Sequence, residues 1–387
     1  MVGIGLLVGS AALTETTLPA HGSTAALPAP IVAAPTASFG AGLVWTSDRL
    51  AAGVPGAVAR LAGVSSAVPV VGATVWLTGS RSATGAPVDT VPAGEGIPLD
   101  VRAADLIAYA ALVPDADRAT FTGLGPDEVL LGATSARLRR LGPGGSLTLA
   151  GRTLHVAGVV PDAEVGSAEV FTSSATAAQL GVTSQRYLLV QPAAGATWGQ
   201  LASPIRAALA GIKPGVQGPG SILGPDDSVL PQVLEKQYFG EFAVQLRAGV
   251  GSWLTLDPSW AAAHLRTESV PILGRVTCNS AMLPALRSAL ADVVAQSLSS
   301  MINPNDYGGC FAARLVAGPT TGDISHHAFG SAIDLNVATN PEGTAGHQDP
   351  RLVAIFKAHG FAWGGDFLSP DPMHFELDPA VAPAPRA

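Results

Sequence analysis

Apolar positions recur along this chain at two different periods. From Met282 to Leu298 they come every third or fourth residue, at Leu283, Leu286, Leu290, Val293 and Val294. That spacing predicts an amphipathic helix with one buried face. Val233–Leu246 (VLEKQYFGEFAVQL) carries a second, weaker pattern of the same kind. Further on the period shortens to two. In Ala332–Val337, Asp334 and Asn336 alternate with Ile333, Leu335 and Val337, which predicts a strand with a polar and an aliphatic face. In Met373–Leu377, His374 and Glu376 face one way and Met373, Phe375 and Leu377 the other. Nearer the start, Pro69–Leu77 and Leu147–Val160 read as strands, the second folding into a hairpin around Gly151–Arg152. Thr134–Leu141 reads as a helix, and the GPGG turn at Gly142–Gly145 leads into the hairpin.

The chain is 387 residues long, room for roughly two domains at ~150 residues each. With 48% hydrophobic and 13% charged residues it can build a sizeable core, which argues against wholesale disorder. The 45 glycines and 31 prolines point to many turns and short elements. Two stretches of linker composition divide it, Leu18–Ser38 and Pro214–Ser228. The expected organisation is a signal-anchor remnant and linker over 1–40, a small α+β domain over 41–212, a linker over 213–230, a second domain over 231–378 and a Pro/Ala-rich tail over 379–387. The fold class expected throughout is α+β.

The formal charge is −8 and no block of Lys or Arg tracks a phosphate backbone, which excludes nucleic acid as an expected partner. Lysine is confined to Lys213, Lys236 and Lys357. The two cysteines, Cys278 and Cys310, flank the segment that leads into the histidine-rich region. A disulfide between them would close a loop of about 32 residues, worth roughly 3–4 kcal/mol in the chain-entropy model, and would imply an oxidising, extracytoplasmic compartment. Two buried free thiols are the other reading. Val2–Leu13 is mostly apolar but shorter than the ~20 residues a bilayer span needs, and it lacks a basic leader. It reads as the remnant of a membrane tether or as an apolar tail.

Five of the eight histidines fall between His326 and His374. Ser325–Asn336 reads SHHAFGSAIDLN, and Asp371–Glu376 reads DPMHFE. Two strands presenting Asp334 and His374 from their polar faces make a platform for a metal ion. His327, seven residues before Asp334, can reach the same ion from the preceding loop, with Gly330 allowing the turn. Two nitrogens and one oxygen suit Zn²⁺, and three protein ligands leave a place for water, as in catalytic sites. Asp371, held between Pro370 and Pro372, is the candidate base. Glu376 is expected to support a ligand rather than be one. His347 is expected in solvent, His359 at a helix C-terminus, and Trp363 in packing.

The pattern S-x-H-x-x-G-x-A-x-D followed by D-x-x-H-F-E resembles the VanY-like zinc D-Ala-D-Ala carboxypeptidases and L-alanyl-D-glutamate endopeptidases. The resemblance runs through Ser325, His327, Gly330, Ala332, Asp334, Asp371, His374 and Glu376 and covers about residues 231–378. It implies a hedgehog-type antiparallel sheet with flanking helices and a zinc site of His327, Asp334 and His374. It also implies Asp371 as general base, Arg314 in CFAARLV as the group polarising the scissile carbonyl, and Ser325 as a substrate contact. The substrate implied is a peptidoglycan stem peptide, cut at D-Ala-D-Ala or at L-Ala–D-Glu. The alternative is a non-catalytic zinc module that binds wall or an envelope partner. The region 41–212 resembles the extracytoplasmic domain of MacB-type permeases in its order of elements and in LHVAGVVPDAEVGSAEVF. Its expected role is positioning or binding an envelope protein.

Overall fold

The computed structural model describes residues 40–46, 49–219, 230–245, 253–316 and 322–379. Val2–Leu13, the Leu18–Ser38 linker, the second linker from residue 220 to 228 and the tail beyond 379 lie outside the described residues. Among the described residues, no helix is long and apolar enough to cross a membrane. The fold is α+β, as the alternation of periods in the sequence requires.

The first region is organised by one long strand, Val64–Arg81, which contains the Pro69–Leu77 run. It pairs with Gln185–Pro192 along its first half, Glu95–Ala104 through its middle and Ser146–Leu149 at its end. The pairing then passes through Arg152–Val160, Glu128–Gly132 and Val170–Ser173 and returns to Glu95–Ala104. Six strands thus close a ring, which leaves few open edges. Within it Arg152–Val160 buries alternate residues, Leu154, Val156 and Val160 among them, and its hairpin turns at Gly151 with φ +77°. The helix predicted from TSARLRRL is present as Ala133–Arg139 and ends on left-handed Arg140.

The second region opens with the helix Gln232–Phe239. The sequence predicts this helix as far as Leu246, but it stops at Gly240, where φ is +92° and a Cβ would run into the rings of His264 and Trp260. The chain then extends, and Val244–Gln245 pairs with Gly96 and Glu95 of the first region. The helix Leu283–Ala295 buries Leu283, Leu286, Leu290 and Val293, whereas Val294 is 47% exposed and lies off the predicted face. Its buried face packs in one apolar cluster with Phe329, Phe356, Phe361 and Phe375. Beside it lies a four-stranded antiparallel sheet in the order Tyr307–Gly309, Ala332–Leu335, His374–Leu377, Phe361–Trp363. A hairpin of Leu265–Val270 and Gly274–Asn279 completes the strands of this region. Cys278 of the hairpin is joined to Cys310 by a disulfide, with Cα atoms 5.4 Å apart.

Candidate metal centre

The two central strands of the small sheet bring the candidate residues together. Antiparallel register sets Asp334 directly opposite His374, with Ile333 opposite Phe375 and Ala332 opposite Glu376. Ile333 and Phe375 enter the core, so the period-two pattern sends Asp334 and His374 to the other face. The strand ends at Leu335, one turn of the pattern earlier than the sequence predicts. Asn336 is left-handed (φ +55°), and its side chain ties the turn to Met301 and Gln348.

His327 comes from a short helix, His326–Phe329, rather than from an open loop. Ser325 caps that helix: its hydroxyl accepts the His327 backbone N–H at 3.3 Å and is buried. Gly330 ends it with φ +68°, where a Cβ would press on the Asn279 backbone nitrogen at 2.7 Å. The result points the His327 ring at the two strands.

Three atoms converge there. His327 Nε2 lies 3.2 Å from Asp334 Oδ1 and 3.2 Å from His374 Nδ1, and His374 Nδ1 lies 3.2 Å from Asp334 Oδ1. The outward nitrogens are committed elsewhere: His327 Nδ1 lies 2.9 Å from the Cys310 carbonyl, and His374 Nε2 lies 3.3 Å from Glu376 Oε2. Donation outward by both rings leaves two imidazole lone pairs and a carboxylate oxygen facing one point. Such a cluster repels itself unless a cation sits in it. Without one, a proton serves. Burial opposes charging His374, but hydrogen bonds to Asp334 and Glu376 push its imidazole up to about 10. Burial likewise works against ionised Asp334, and the hydrogen bonds from His327 and His374 still hold its carboxyl far below the usual range. The donor set, with His374 backed by the Glu376 carboxylate and His327 by the Cys310 carbonyl, fits a zinc ion.

Asp371 stands next to this cluster. Its backbone N–H donates to the Gly364 carbonyl at 2.8 Å and its carbonyl accepts from His374 N–H at 3.0 Å. A Cβ at position 364 would collide with the Asp371 carbonyl, so the close approach depends on glycine there. Trp363 Nε1 donates to the Pro372 carbonyl at 2.8 Å and steadies the same turn. Asp371 Oδ1 is buried without a hydrogen-bond partner among the described residues. Burial, with the nearby charges of Asp334 and Glu342, pushes this carboxyl up to about 6 against the pull of His374. An unpartnered buried carboxylate oxygen beside a cation-seeking cluster is a group prepared to accept a proton.

Arg314 lies one backbone contact away: its carbonyl accepts Ser325 N–H at 3.1 Å, and it bridges to exposed Trp253. It is half-buried, and its guanidinium makes no ion pair or hydrogen bond among the described residues. His347 is exposed. His359 caps the C-terminus of helix Pro350–Ala358, with Nε2 2.8 Å from Asp292.

In the sequence His326 is the neighbour that competes with His327 for one place in the motif, and Glu235 carries no signal. His326 Nδ1 lies 2.8 Å from Glu376 Oε2 and 3.4 Å from Glu235 Oε1. Glu235 is fully buried, with Oε2 accepting the Ser331 hydroxyl at 2.8 Å. A charged residue in the first turn of an amphipathic helix gives no hint of this; the signal is the fold.

Solved structures similar to this chain are extracytoplasmic domains of MacB-type transporters. The periplasmic region of MacB from Actinobacillus actinomycetemcomitans shares 10% identity over 48% of this chain and 90% of its own, with a TM-score of 0.33. The extracellular domain of the noncanonic ABC-type transporter YknZ from Gram-positive bacteria shares 12% over 46% of this chain and 100% of its own, with a TM-score of 0.30. At these scores the likeness settles neither fold nor role. No curated protein matches the chain. Residues 318–377, the stretch holding His327, Asp334, Asp371 and His374, match the family model described as D-alanyl-D-alanine carboxypeptidase, so the C-terminal region resembles a peptidase family.

Proposed function

We propose that the C-terminal region is a zinc peptidase that cuts a peptide bond in peptidoglycan stem peptides outside the cytoplasm. The observation that carries this is the convergence of three lone pairs, from His327, Asp334 and His374, beside the unpartnered carboxylate oxygen of Asp371. In this reading those three side chains hold Zn²⁺, which supplies Lewis acidity to the scissile carbonyl and to water. Asp371 takes a proton from the attacking water and returns it to the leaving amine, so that one amide and one water become a carboxylate and an amine. Burial raises this carboxyl above its ordinary range in the metal-free site, the direction needed by a group that first accepts the proton and then gives it up. Arg314, whose guanidinium is uncommitted among the described residues, meets the carbonyl oxygen as negative charge develops on it. Ser325 fixes the helix that carries His327, and at the site's edge it is placed between that ligand and Arg314.

The family match and the stem-peptide pattern support both D-Ala-D-Ala carboxypeptidase and L-Ala–D-Glu endopeptidase chemistry. The Cys278–Cys310 disulfide supports an extracytoplasmic site of action. The first region serves here as a positioning or envelope-partner module. The test is incubation of the protein with purified muropeptides, with and without chelator, and identification of the products by mass spectrometry. Chelator-sensitive loss of a terminal D-Ala, or release of the L-alanyl portion, is the expected result and names the bond. Intact muropeptides with zinc bound would instead make the region a wall- or partner-binding zinc module.

A further inference from the structure

The helix Gln232–Phe239 stands between the two regions and presents adjacent residues to each. Gln232 and Lys236, one turn apart and so on one face, reach into the first region. Lys236 Nζ lies 2.8 and 3.0 Å from the two oxygens of Glu169 and bonds the Pro98 carbonyl, while Gln232 Nε2 donates to Glu169 Oε2 at 2.7 Å. Arg139 completes the cluster, 3.2 Å from Glu169 and bonded to Glu241. The side chains of Arg139, Glu169 and Lys236 are wholly buried. Two cations, Arg139 and Lys236, face Glu169 and Glu241 there, with Asp89 a third carboxylate 3.6 Å from Arg139, so removing one partner leaves buried charge uncompensated.

Glu235, the next residue along, points the other way. It continues the line Glu235–His326–Glu376–His374, through contacts of 3.4, 2.8 and 3.3 Å, to the ligand cluster. Neither Glu235 nor His326 has a part in the chemistry set out above. We propose that Glu235 is a positioning residue for His374, acting through His326 and Glu376, and that the first region sets its position by gripping the same helix at Lys236. The first region is then part of the metal site's scaffold.

The physical basis is that a ligating histidine is oriented by the carboxylate on its far nitrogen, and that carboxylate by its own partners. Glu376 receives His374 and His326 on the same oxygen, so the placement of His326 decides where that oxygen sits. Ser331, which holds the other oxygen of Glu235, lies between the ligand helix and the strand of Asp334, and its N–H donates to the His326 carbonyl at 3.3 Å. Gln keeps the size of Glu235 and an oxygen to accept the Ser331 hydroxyl, so Glu235→Gln tests the carboxylate with little change in packing.

This inference rests on the zinc reading, and its test separates the two. Zinc affinity is measured by competition with a chromophoric chelator, and kcat and KM on muropeptides, for the full-length wild type, Glu235→Gln, Glu169→Gln and the double variant. Glu235→Gln is expected to weaken zinc binding about tenfold and to lower kcat with KM unchanged. Glu169→Gln should weaken zinc binding in the same direction, and the double variant should be no worse than Glu235→Gln, because both act through one helix. If Glu169→Gln does not fold, Glu169→Gln with Lys236→Gln, which removes one charge of each sign, replaces it. A folded Glu235→Gln with wild-type zinc affinity, or a double variant whose losses simply add, overturns the proposal while leaving the peptidase reading standing. Wild-type protein that binds no zinc takes down both.

Discussion

Asp371 and His374 stand three residues apart, yet their replacement is expected to fail in different ways. Asp371→Asn keeps size and hydrogen bonding but cannot accept a proton. Zinc content should survive while turnover drops by ~10²–10⁴-fold, the usual contribution of a general base. His374→Ala removes a converging nitrogen and should lose metal and turnover together. Zinc content and rate measured on the same samples decide this; full zinc with near-normal turnover in Asp371→Asn would remove Asp371 from the mechanism. The same variant has a second signature in chelator-treated protein. Burial raises the folded pKa of Asp371 from 3.8 to about 6, so between those values the folded state binds more protons than the unfolded one. Stability of the metal-free wild type therefore falls as pH rises through that window, and the cost persists above it. Asn carries no such cost. Metal-free Asp371→Asn should melt about 2–4 °C above wild type at pH 7.5, a figure already reduced for partial exposure, and the gain should vanish near pH 4. Equal melting temperatures at pH 7.5 would mean the carboxylate is better solvated than its position indicates.

At the scale of elements, the site hangs on two short connections. The Cys278–Cys310 bond ties the hairpin strand Gly274–Asn279 to the segment whose Cys310 carbonyl fixes the His327 ring. Titration of denatured, unreduced protein should find no free thiol. Replacing both cysteines by serine should cost roughly 3–4 kcal/mol by denaturant unfolding, from the loop of 32 residues released in the unfolded chain. Two free thiols in protein made under oxidising conditions would rule the bridge out. The other connection is the Gly364–Asp371 contact. Gly364→Ala puts a methyl into the Asp371 carbonyl, so the turn must move. Turnover should fall at least tenfold, because an active-site group displaced by about 1 Å loses rate steeply, while zinc binding changes little. A rate like wild type would show that the turn adjusts freely.

At the scale of the whole molecule, the strongest constraint is the buried charge cluster that joins the regions. Arg139→Met keeps an unbranched side chain but leaves Glu169 and Glu241 facing Lys236 alone. The expected cost is about 3–5 kcal/mol by denaturant unfolding, the range for breaking a buried pair from one side. It should appear as one transition, since strand Val244–Gln245 also crosses into the first region's sheet and the apolar cluster of the second region takes in Trp76 and Leu138. Two separated transitions would mean that the regions unfold independently, as the linker composition near 213–230 suggests.

Much of the site is legible in the sequence because it depends on local periods. Alternation in Ala332–Leu335 and His374–Leu377 places Asp334 and His374 on polar faces, the i, i+3 and i+4 pattern of Leu283, Leu286, Leu290 and Val293 marks a helix face, and Gly330 announces a turn. The resemblance to the family pattern, through its spacing to Gly330 and Asp334, favours His327 over His326, and the structure brings His327 into the cluster while turning His326 to Glu376 and Glu235. What remained hidden depends on partners far apart in the chain. The end of the helix at Gly240 is decided by a backbone angle and by the rings of Trp260 and His264, the exposure of Val294 by which neighbours reach that side of its helix, and the burial of Arg139, Glu169 and Lys236 by one another. A buried charge reads in sequence like any surface charge, because only the fold supplies the opposite charge that lets it leave water. The sequence by itself therefore determined which segments are helix or strand and which faces Asp334 and His374 take, because both follow from local period; the tertiary structure decided the register that sets Asp334 against His374, and the charge cluster that binds the first region to the helix behind the site.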